Sequence, residues 1–228
     1  FAGGSSSDPA QLQPFDSETL YAYEAGFKSD LLGRTLRFNA TAFYYDYRDL
    51  QVFVFDTSGV LPVQRKLNAG NAEIYGLEVE LQAQPSRYFN AFVNTSFLHA
   101  EYKEFTALAA EDYSGNDLVN APDFSISGGF TVTQPLPGGS ALQFRADGSF
   151  QSESFLTPDN ARANRVKPYG TANVRFSWLS ADEKLELALW GKNVTGTRYI
   201  TYISPVVTMD QINYNDPSTY GVQAVLKF

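Results

Sequence analysis

The stretch Tyr169-Gly-Thr-Ala-Asn-Val-Arg-Phe-Ser-Trp178 alternates apolar and polar residues with a period of two. Its even positions hold only glycine or apolar residues, namely Gly170, Ala172, Val174, Phe176 and Trp178. Its odd positions after Tyr169 hold only polar residues, namely Thr171, Asn173, Arg175 and Ser177. Because successive side chains of a β-strand point to opposite faces, this stretch predicts a strand with one apolar and one polar wall.

The same two-sided pattern recurs along nearly the whole chain. We predict nine strands, at about residues 18–28, 34–48, 72–83, 88–102, 123–134, 141–151, 169–178, 184–195 and 218–228. Strands that are apolar outside and polar inside are typical of transmembrane β-barrels. The predicted fold class is therefore all-β, a transmembrane antiparallel up-and-down β-barrel.

The lengths of the connections assign a side to each of them. Odd-numbered strands are followed by links of about four to six residues and even-numbered strands by links of more than about ten, as with the periplasmic turns and extracellular loops of outer-membrane barrels. Bacterial single-chain barrels have even strand numbers, so nine strands indicate part of a larger barrel. We expect residues 1–16 to be the remnant of an extracellular loop and residues 17–228 to be the C-terminal portion of the barrel.

The composition limits the possible partners and cofactors. A formal net charge of −8 disfavours nucleic acid, because phosphate binding needs clustered Lys and Arg. The chain has no cysteine, and the lone His99 cannot build a typical metal site, so no metal and no cofactor is predicted. No segment approaches the roughly 18 consecutive apolar residues of a membrane-spanning helix, so a membrane location would require a closed barrel.

Four segments, in the right order, resemble one family. Asn68-Ala-Gly-Asn-Ala-Glu-Ile-Tyr-Gly-Leu-Glu-Val-Glu80 resembles the segment with which TonB-dependent outer-membrane receptors re-enter the membrane after a loop, and Glu18–Phe27 resembles an earlier strand of these receptors. Lys192–Tyr199 resembles their N-L-F-D-x-x-Y signature, from which it departs at Val194, Thr195 and Gly196. Tyr220–Phe228 resembles their terminal strand, whose last aromatic, here Phe228, is read by the barrel-assembly machinery.

The resemblance implies a 22-stranded barrel with a plugged lumen, located in the bacterial outer membrane. Such receptors import scarce ligands with inner-membrane energy that reaches the plug through TonB. This chain would supply the last nine strands, while the plug and the segment that contacts TonB would belong to an N-terminal portion, on the same or a separate chain. The resemblance favours a ferric siderophore as ligand, and vitamin B12, haem and oligosaccharides remain open.

Charged residues on the polar faces of the strands are expected to line the lumen and contact the plug through hydrogen bonds and ion pairs. They are Arg37, Glu78, Glu80, Arg145, Arg175 and Lys192. Glu78 and Glu80 lie two apart on one face, as an acid/base pair could, but no nucleophile, base and orienter set accompanies them. We therefore predict no catalytic residues and no enzyme.

Aromatic and basic residues in the predicted long loops are candidates for ligand recognition, because binding residues often sit on loops held by a rigid scaffold. Aromatic rings can stack on flat ligand faces, and Arg can pair with an anionic chelate. The candidates are Phe53, Phe55, Arg65, Tyr113, Arg162, Arg165, Tyr202 and Tyr214. The alternative is that these side chains only pack loop against loop.

Two other kinds of protein would share much of this pattern. One is a small, self-contained outer-membrane barrel, structural or a passive channel, with about ten strands and no plug. The other is a soluble β-sandwich or lectin-like domain, in which a second sheet would cover every apolar face.

Overall fold

The computed structural model describes residues 16–56, 63–68, 70–106, 111–206 and 209–228. Most of these residues lie in β-strands, and two three-residue 3-10 turns cover Leu32–Arg34 and Arg162–Asn164. The strands are β1 (Thr19–Leu31), β2 (Leu36–Arg48), β3 (Gln51–Asp56), β4 (Val63–Asn68), β5 (Asn71–Ser86), β6 (Phe89–Glu104), β7 (Phe124–Pro135), β8 (Ala141–Gln151), β9 (Ser154–Phe155), β10 (Arg165–Val166), β11 (Tyr169–Leu179), β12 (Leu185–Lys192), β13 (Ile200–Val206), β14 (Met209–Tyr214) and β15 (Thr219–Leu226). No helix of this part of the chain is long and apolar enough to cross a membrane.

Nine long strands form one antiparallel sheet in the order β1-β2-β5-β6-β7-β8-β11-β12-β15. Each pairs with the long strand before it in the chain, which is the up-and-down arrangement that the sequence predicts. The all-β antiparallel fold is therefore confirmed, and each predicted strand overlaps one strand of this sheet. Because the nine strands build a single sheet, a sandwich of two packed sheets is not supported.

One face of the sheet is apolar across its whole width. Cross-strand registers place Leu77 of β5 beside Phe97 of β6, and Phe97 beside Phe124 of β7. Large apolar side chains on this face stay exposed, among them Phe27 at 56%, Leu189 at 58% and Val222 at 78%. Such a continuous exposed apolar surface is unusual for a protein in water, and it is consistent with contact with lipid.

The first turn begins later than the sequence pattern predicts. The pattern predicts a turn at residues 29–33, but β1 continues to Leu31 and the chain reverses at Leu32, Gly33 and Arg34, which all have positive φ. Asp30 and Arg37 are cross-strand partners, and the Arg37 Nε lies 2.9 Å from the Asp30 Oδ1. The backbone ladder continues to the pair Leu31 and Leu36, and this exposed ion pair lies beside its last rung.

Three of the four long loops contain short hairpins that the sequence pattern does not predict. They are β3–β4, β9–β10 and β13–β14, and each pairs within its own loop rather than with the long sheet. The fourth loop, after β6, is anchored by a small apolar core. Tyr102 and Phe105 are both 1% exposed, with ring centroids 5.0 Å apart, and they pack with Val52 and Ala72.

Candidate functional site

The face opposite the apolar one carries the polar side chains, and we call it the polar face. Arg37, Glu78, Glu80, Arg145 and Arg175 all occupy positions on this face, because each is offset by one residue from the apolar rows. Lys192 alternates in the same way with Gly191, and its Nζ lies 5.9 Å from the centre of the Trp190 ring. The predicted lumenal residues therefore share one face, while their contact with a plug stays a prediction.

Two arginines stand opposite each other on the polar face without sharing a counter-ion. Arg145 and Arg175 are cross-strand partners on β8 and β11. The Arg175 Nη2 lies 2.6 Å from the Glu186 Oε1, while the Arg145 Nε lies 3.3 Å from the Asp147 Oδ1. Because each cation has its own carboxylate, repulsion between the two guanidinium groups is offset.

Glu78 and Glu80 are in a different situation. The Asn39 Nδ2 donates a hydrogen bond of 2.9 Å to the Glu80 Oε2. Within the described part of the chain, neither glutamate forms an ion pair, and the buried Asn39 Oδ1 has no hydrogen-bond partner. These two carboxylates therefore leave a net negative charge on this part of the polar face.

A cleft of about 380 Å³ runs across the polar face from β5 to β11. We call it the serine groove, because its polar lining consists mostly of short side chains. These are Asn94, Ser96, Ser125, Ser127, Ser149 and Thr171, with Glu78 and Glu80 at one end and Gln151, Tyr169 and Tyr199 at the other. The groove presents hydroxyl and carboxylate groups to whatever fills it.

A second cleft of about 270 Å³ adjoins the serine groove on the side of the long loops, and we call it the upper cleft. Its lining includes Asn120, Ser154 and Ile200, and it shares Gln151, Tyr169 and Tyr199 with the serine groove. The rings of Tyr169 and Tyr199 stack in parallel, with centroids 3.6 Å apart and planes at 9°. This aromatic pair stands where the two clefts meet.

The predicted loop residues are not gathered into one site. Neither cleft has any of the eight among its lining residues. Phe53, Phe55 and Arg65 belong to the β3–β4 hairpin, and their side chains lie outside the described part of the structure.

Tyr113 packs inside its loop rather than facing a cleft. Its ring meets the Phe105 ring edge-on at 5.3 Å, and its hydroxyl donates a hydrogen bond to Glu111. Burial and the Glu111 carboxylate together raise the pKa of Tyr113. These contacts favour the packing alternative for this residue.

The remaining candidates lie on the β9–β10 and β13–β14 loops. The Arg165 Nη1 pairs with the Glu153 Oε2 at 3.1 Å, whereas Arg162 is exposed. Tyr202 is 51% exposed and Tyr214 is 48% exposed. The Arg198 guanidinium lies 4.6 Å from the centre of the Tyr214 ring, a contact that residue type alone does not predict.

Asn193 is the centre of a hydrogen-bond network in the segment from Lys192 to Tyr199. This residue is 8% exposed, with a positive φ of 47°, and its Nδ2 donates to the carbonyls of Thr197 and Asp216 at 2.9 and 3.2 Å. Its Oδ1 accepts from the Thr195 hydroxyl, and its carbonyl accepts from the Ser218 hydroxyl at 2.6 Å. Asn193 thus ties the end of β12 to the segment just before β15, while the Asn215 Oδ1 accepts a hydrogen bond of 2.9 Å from the Tyr199 N–H.

Sequence comparison connects this geometry to a family. The model described as "TonB dependent receptor-like, beta-barrel" matches residues 1–194. The chain belongs to the TonB-dependent receptor family. Its similarity to the pesticin receptor of Yersinia pestis is 25% identity over 190 residues, which are 83% of this chain and 26% of that receptor. The chain thus spans about a quarter of the length of the curated relatives it matches.

Solved structures of TonB-dependent receptors share the fold. The ferric yersiniabactin uptake receptor FyuA from Yersinia pestis superposes with a TM-score of 0.78 at 21% identity, over 95% of this chain and 31% of that one. The siderophore receptor PiuA from Acinetobacter baumannii gives a TM-score of 0.70 at 20% identity, over 95% and 29%. In this fold the apolar face of the sheet is the outside of the barrel and the polar face is its lumenal wall.

Proposed function

We propose that this chain is part of a bacterial outer-membrane receptor that imports a ferric siderophore with energy supplied through TonB. The observation that carries the proposal is the match to the receptor barrel family, together with a lumenal wall that holds a polar groove open towards the long loops. The relatives FyuA and PiuA are described as ferric yersiniabactin and siderophore receptors, which supports an iron chelate as ligand.

In this proposal residues 17–228 supply the last nine strands of a barrel of about 22 strands, as in plugged outer-membrane transporters. The role is transport and not catalysis. The partners would be outer-membrane lipid on the apolar face, a plug in the lumen, TonB acting through that plug and the barrel-assembly machinery at Phe228. The loop candidates from Phe53 to Tyr214 remain proposed ligand contacts, of which the exposed Arg162, Tyr202 and Tyr214 are the best placed.

The test is a gain of function in a Gram-negative strain that lacks its own siderophore receptors. The full-length gene should allow uptake of at least one radioactive ferric siderophore, and the uptake should disappear in an otherwise identical strain without TonB. Uptake of vitamin B12, haem or an oligosaccharide in place of ferric chelates would contradict the ligand assignment. Uptake that continues without TonB would instead favour the passive-channel alternative.

A further inference from the structure

We propose that Asn160 joins the described parts of the loops after β6 and β8 into one body and thereby fixes the position of Arg162. Asn160 is then a positioning residue, which acts on the cargo only through Arg162. The inference deepens the proposed import function, because the role of Arg162 in cargo binding rests on that function. The coupling of the two loops can be measured without any cargo.

The loop after β6 continues the long sheet beyond the start of β7. Because β7 begins only at Phe124, the last residues of β6 lie beyond the reach of that strand. The Tyr102 N–H donates instead to the Asn116 carbonyl at 2.9 Å. The Leu118 N–H donates to the Ala100 carbonyl, also at 2.9 Å. This part of the loop therefore takes the place of a strand beside β6, and the small apolar core around Tyr102 supports it.

Asn160 connects the loop after β8 to this strand-like segment through both atoms of its amide group. Its Oδ1 accepts a hydrogen bond of 2.7 Å from the Asp117 N–H, and its Nδ2 donates one of 3.1 Å to the Asp117 carbonyl. Asn160 has a positive φ of 49°, a backbone conformation that asparagine adopts more readily than most residues. The reciprocal pair resembles the exchange of two hydrogen bonds between paired residues of an antiparallel sheet.

Two further hydrogen bonds join the same two loops beside the Asn160 pair. The Asn116 Nδ2 donates to the carbonyl of the buried Pro158 at 2.9 Å, and the Asn120 N–H donates to the Phe155 carbonyl at 2.8 Å. Within the described part of the chain, Asn160 thus supplies two of four hydrogen bonds between the loops. Because these bonds must break together before either loop moves alone, we expect the two loops to open as one unit.

The loop after β8 is closed on itself, so that the position of Asn160 determines that of Arg162. The Leu156 N–H donates to the Asn164 carbonyl at 2.9 Å, and the Asn164 Nδ2 donates to the Thr157 hydroxyl at 2.7 Å. The 3-10 turn that begins at Arg162 lies inside this closed stretch, two residues after Asn160. A shift of Asn160 away from the neighbouring loop would therefore move Arg162 as well.

The side chain of Arg162 is available to a cargo. It is exposed and pairs with no carboxylate of the described residues, whereas the nearby Arg165 pairs with Glu153 at 3.1 Å. A guanidinium group can form two parallel hydrogen bonds to a carboxylate or a similar anionic group, and such a contact depends on orientation. A loop that is already fixed loses less freedom when the cargo binds. Asn160 therefore favours binding by keeping Arg162 in one place.

The first experiment follows amide hydrogen exchange by mass spectrometry in the full-length receptor. Asn160→Gly removes the amide group and keeps a residue that tolerates the left-handed backbone. We expect the peptide that contains Asp117 to exchange about tenfold faster, the factor that the loss of one or two ordinary hydrogen bonds produces. Asn164→Ala is the matched control, because its amide bonds within its own loop. This control should speed exchange in the loop after β8 and leave the Asp117 peptide unchanged.

The second experiment measures the position of Arg162 relative to the loop after β6. This chain has no cysteine, so spin labels can be attached at Val119→Cys and Arg162→Cys once any cysteine elsewhere in the receptor is replaced. Both positions are exposed. Double electron–electron resonance should give a narrow distribution of distances between the two labels, and adding Asn160→Gly should broaden it.

Two results would overturn the proposal. Unchanged exchange at Asp117 in Asn160→Gly would mean that this amide does not join the loops. An unchanged distance distribution would mean that Arg162 keeps its position without Asn160. Heat-modifiable migration checks that each variant is folded, and Asn160→Asp, which keeps the acceptor and loses the donor, replaces Asn160→Gly if it is not. Failure of the receptor to take up any ferric siderophore would contradict the proposed function alone, because neither measurement uses a cargo.

Discussion

At the residue scale, the buried Asn193 side chain donates hydrogen bonds to the backbone carbonyls of Thr197 and Asp216. We predict that Asn193→Ala destabilises the protein by about 1–3 kcal/mol, the cost of leaving buried polar groups without partners. Thermal unfolding of the purified full-length protein measures the effect. Asn213→Ala is the matched control, because its side chain is exposed. Equal stability of the two variants would contradict the role given to Asn193.

Two aspartates of the loop after β6 should respond to pH with opposite signs. Burial, together with the charge of Asp123, raises the pKa of Asp117, whereas hydrogen bonds from the Ser114 hydroxyl and N–H lower the pKa of Asp112. Folding thus favours the protonated form of Asp117. Its stabilising contribution to the free energy of unfolding is lost as the pH rises through the pKa of the folded state. Folding favours the charged form of Asp112. Its stabilising contribution to the free energy of unfolding is lost as the pH falls through the pKa of the folded state.

The corresponding prediction concerns unfolding temperature as a function of pH. At pH 7 Asp117→Asn should be at least as stable as the parent, because it removes a partly buried charge, and Asp112→Asn should be less stable. Both differences should shrink as the pH falls below about 4, where aspartates of the unfolded chain become protonated. If both substitutions lowered the unfolding temperature at pH 7, or both raised it, the opposite pKa shifts of Asp117 and Asp112 would be contradicted.

At the scale of the strands, neighbouring positions should tolerate a charge very differently. Phe144 lies on the apolar face, and Gln143 lies on the polar face, where its Nε2 donates to the Thr133 hydroxyl. We predict that Phe144→Arg costs about 2–4 kcal/mol if it lies near the middle of the bilayer, and that Gln143→Arg is tolerated. Yield of folded barrel in outer membranes, followed by urea unfolding in lipid, compares the two. A similar defect in both would contradict the assignment of the faces.

The nine long strands follow from the sequence because their two-sided period of two is set by lipid on one side and a polar lumen on the other. The loop hairpins do not, because stretches such as Ile200–Val206 show no such period in their sequence. Residue type alone indicates loop candidates, whereas Tyr169 and Tyr199, the aromatic pair at the clefts, are separated by 30 positions in the chain. The tertiary fold brings these two rings together, and the hydrogen bond from the Tyr199 N–H to the Asn215 Oδ1 helps to hold one of them.

At the scale of the whole molecule, we expect Phe228 to affect the assembly of the receptor in the outer membrane and not the stability of the assembled protein. Its side chain is fully exposed, so it adds little packing energy to the described part of the sheet. We predict that Phe228→Ala lowers the amount of assembled receptor in the outer membrane while leaving the unfolding temperature of the assembled fraction unchanged. A lower unfolding temperature with normal amounts would instead assign Phe228 a packing role.

The odd number of strands in the long sheet fixes the relative direction of its two edge strands. Because its nine strands alternate in direction, the two edge strands β1 and β15 run the same way. If these edges met each other, they would form a parallel pair in an otherwise antiparallel wall. Any set of strands that joins them and keeps the wall antiparallel must be odd in number. The thirteen further strands of a barrel of about 22 strands satisfy this parity, and a single added strand would as well, but two or four would not.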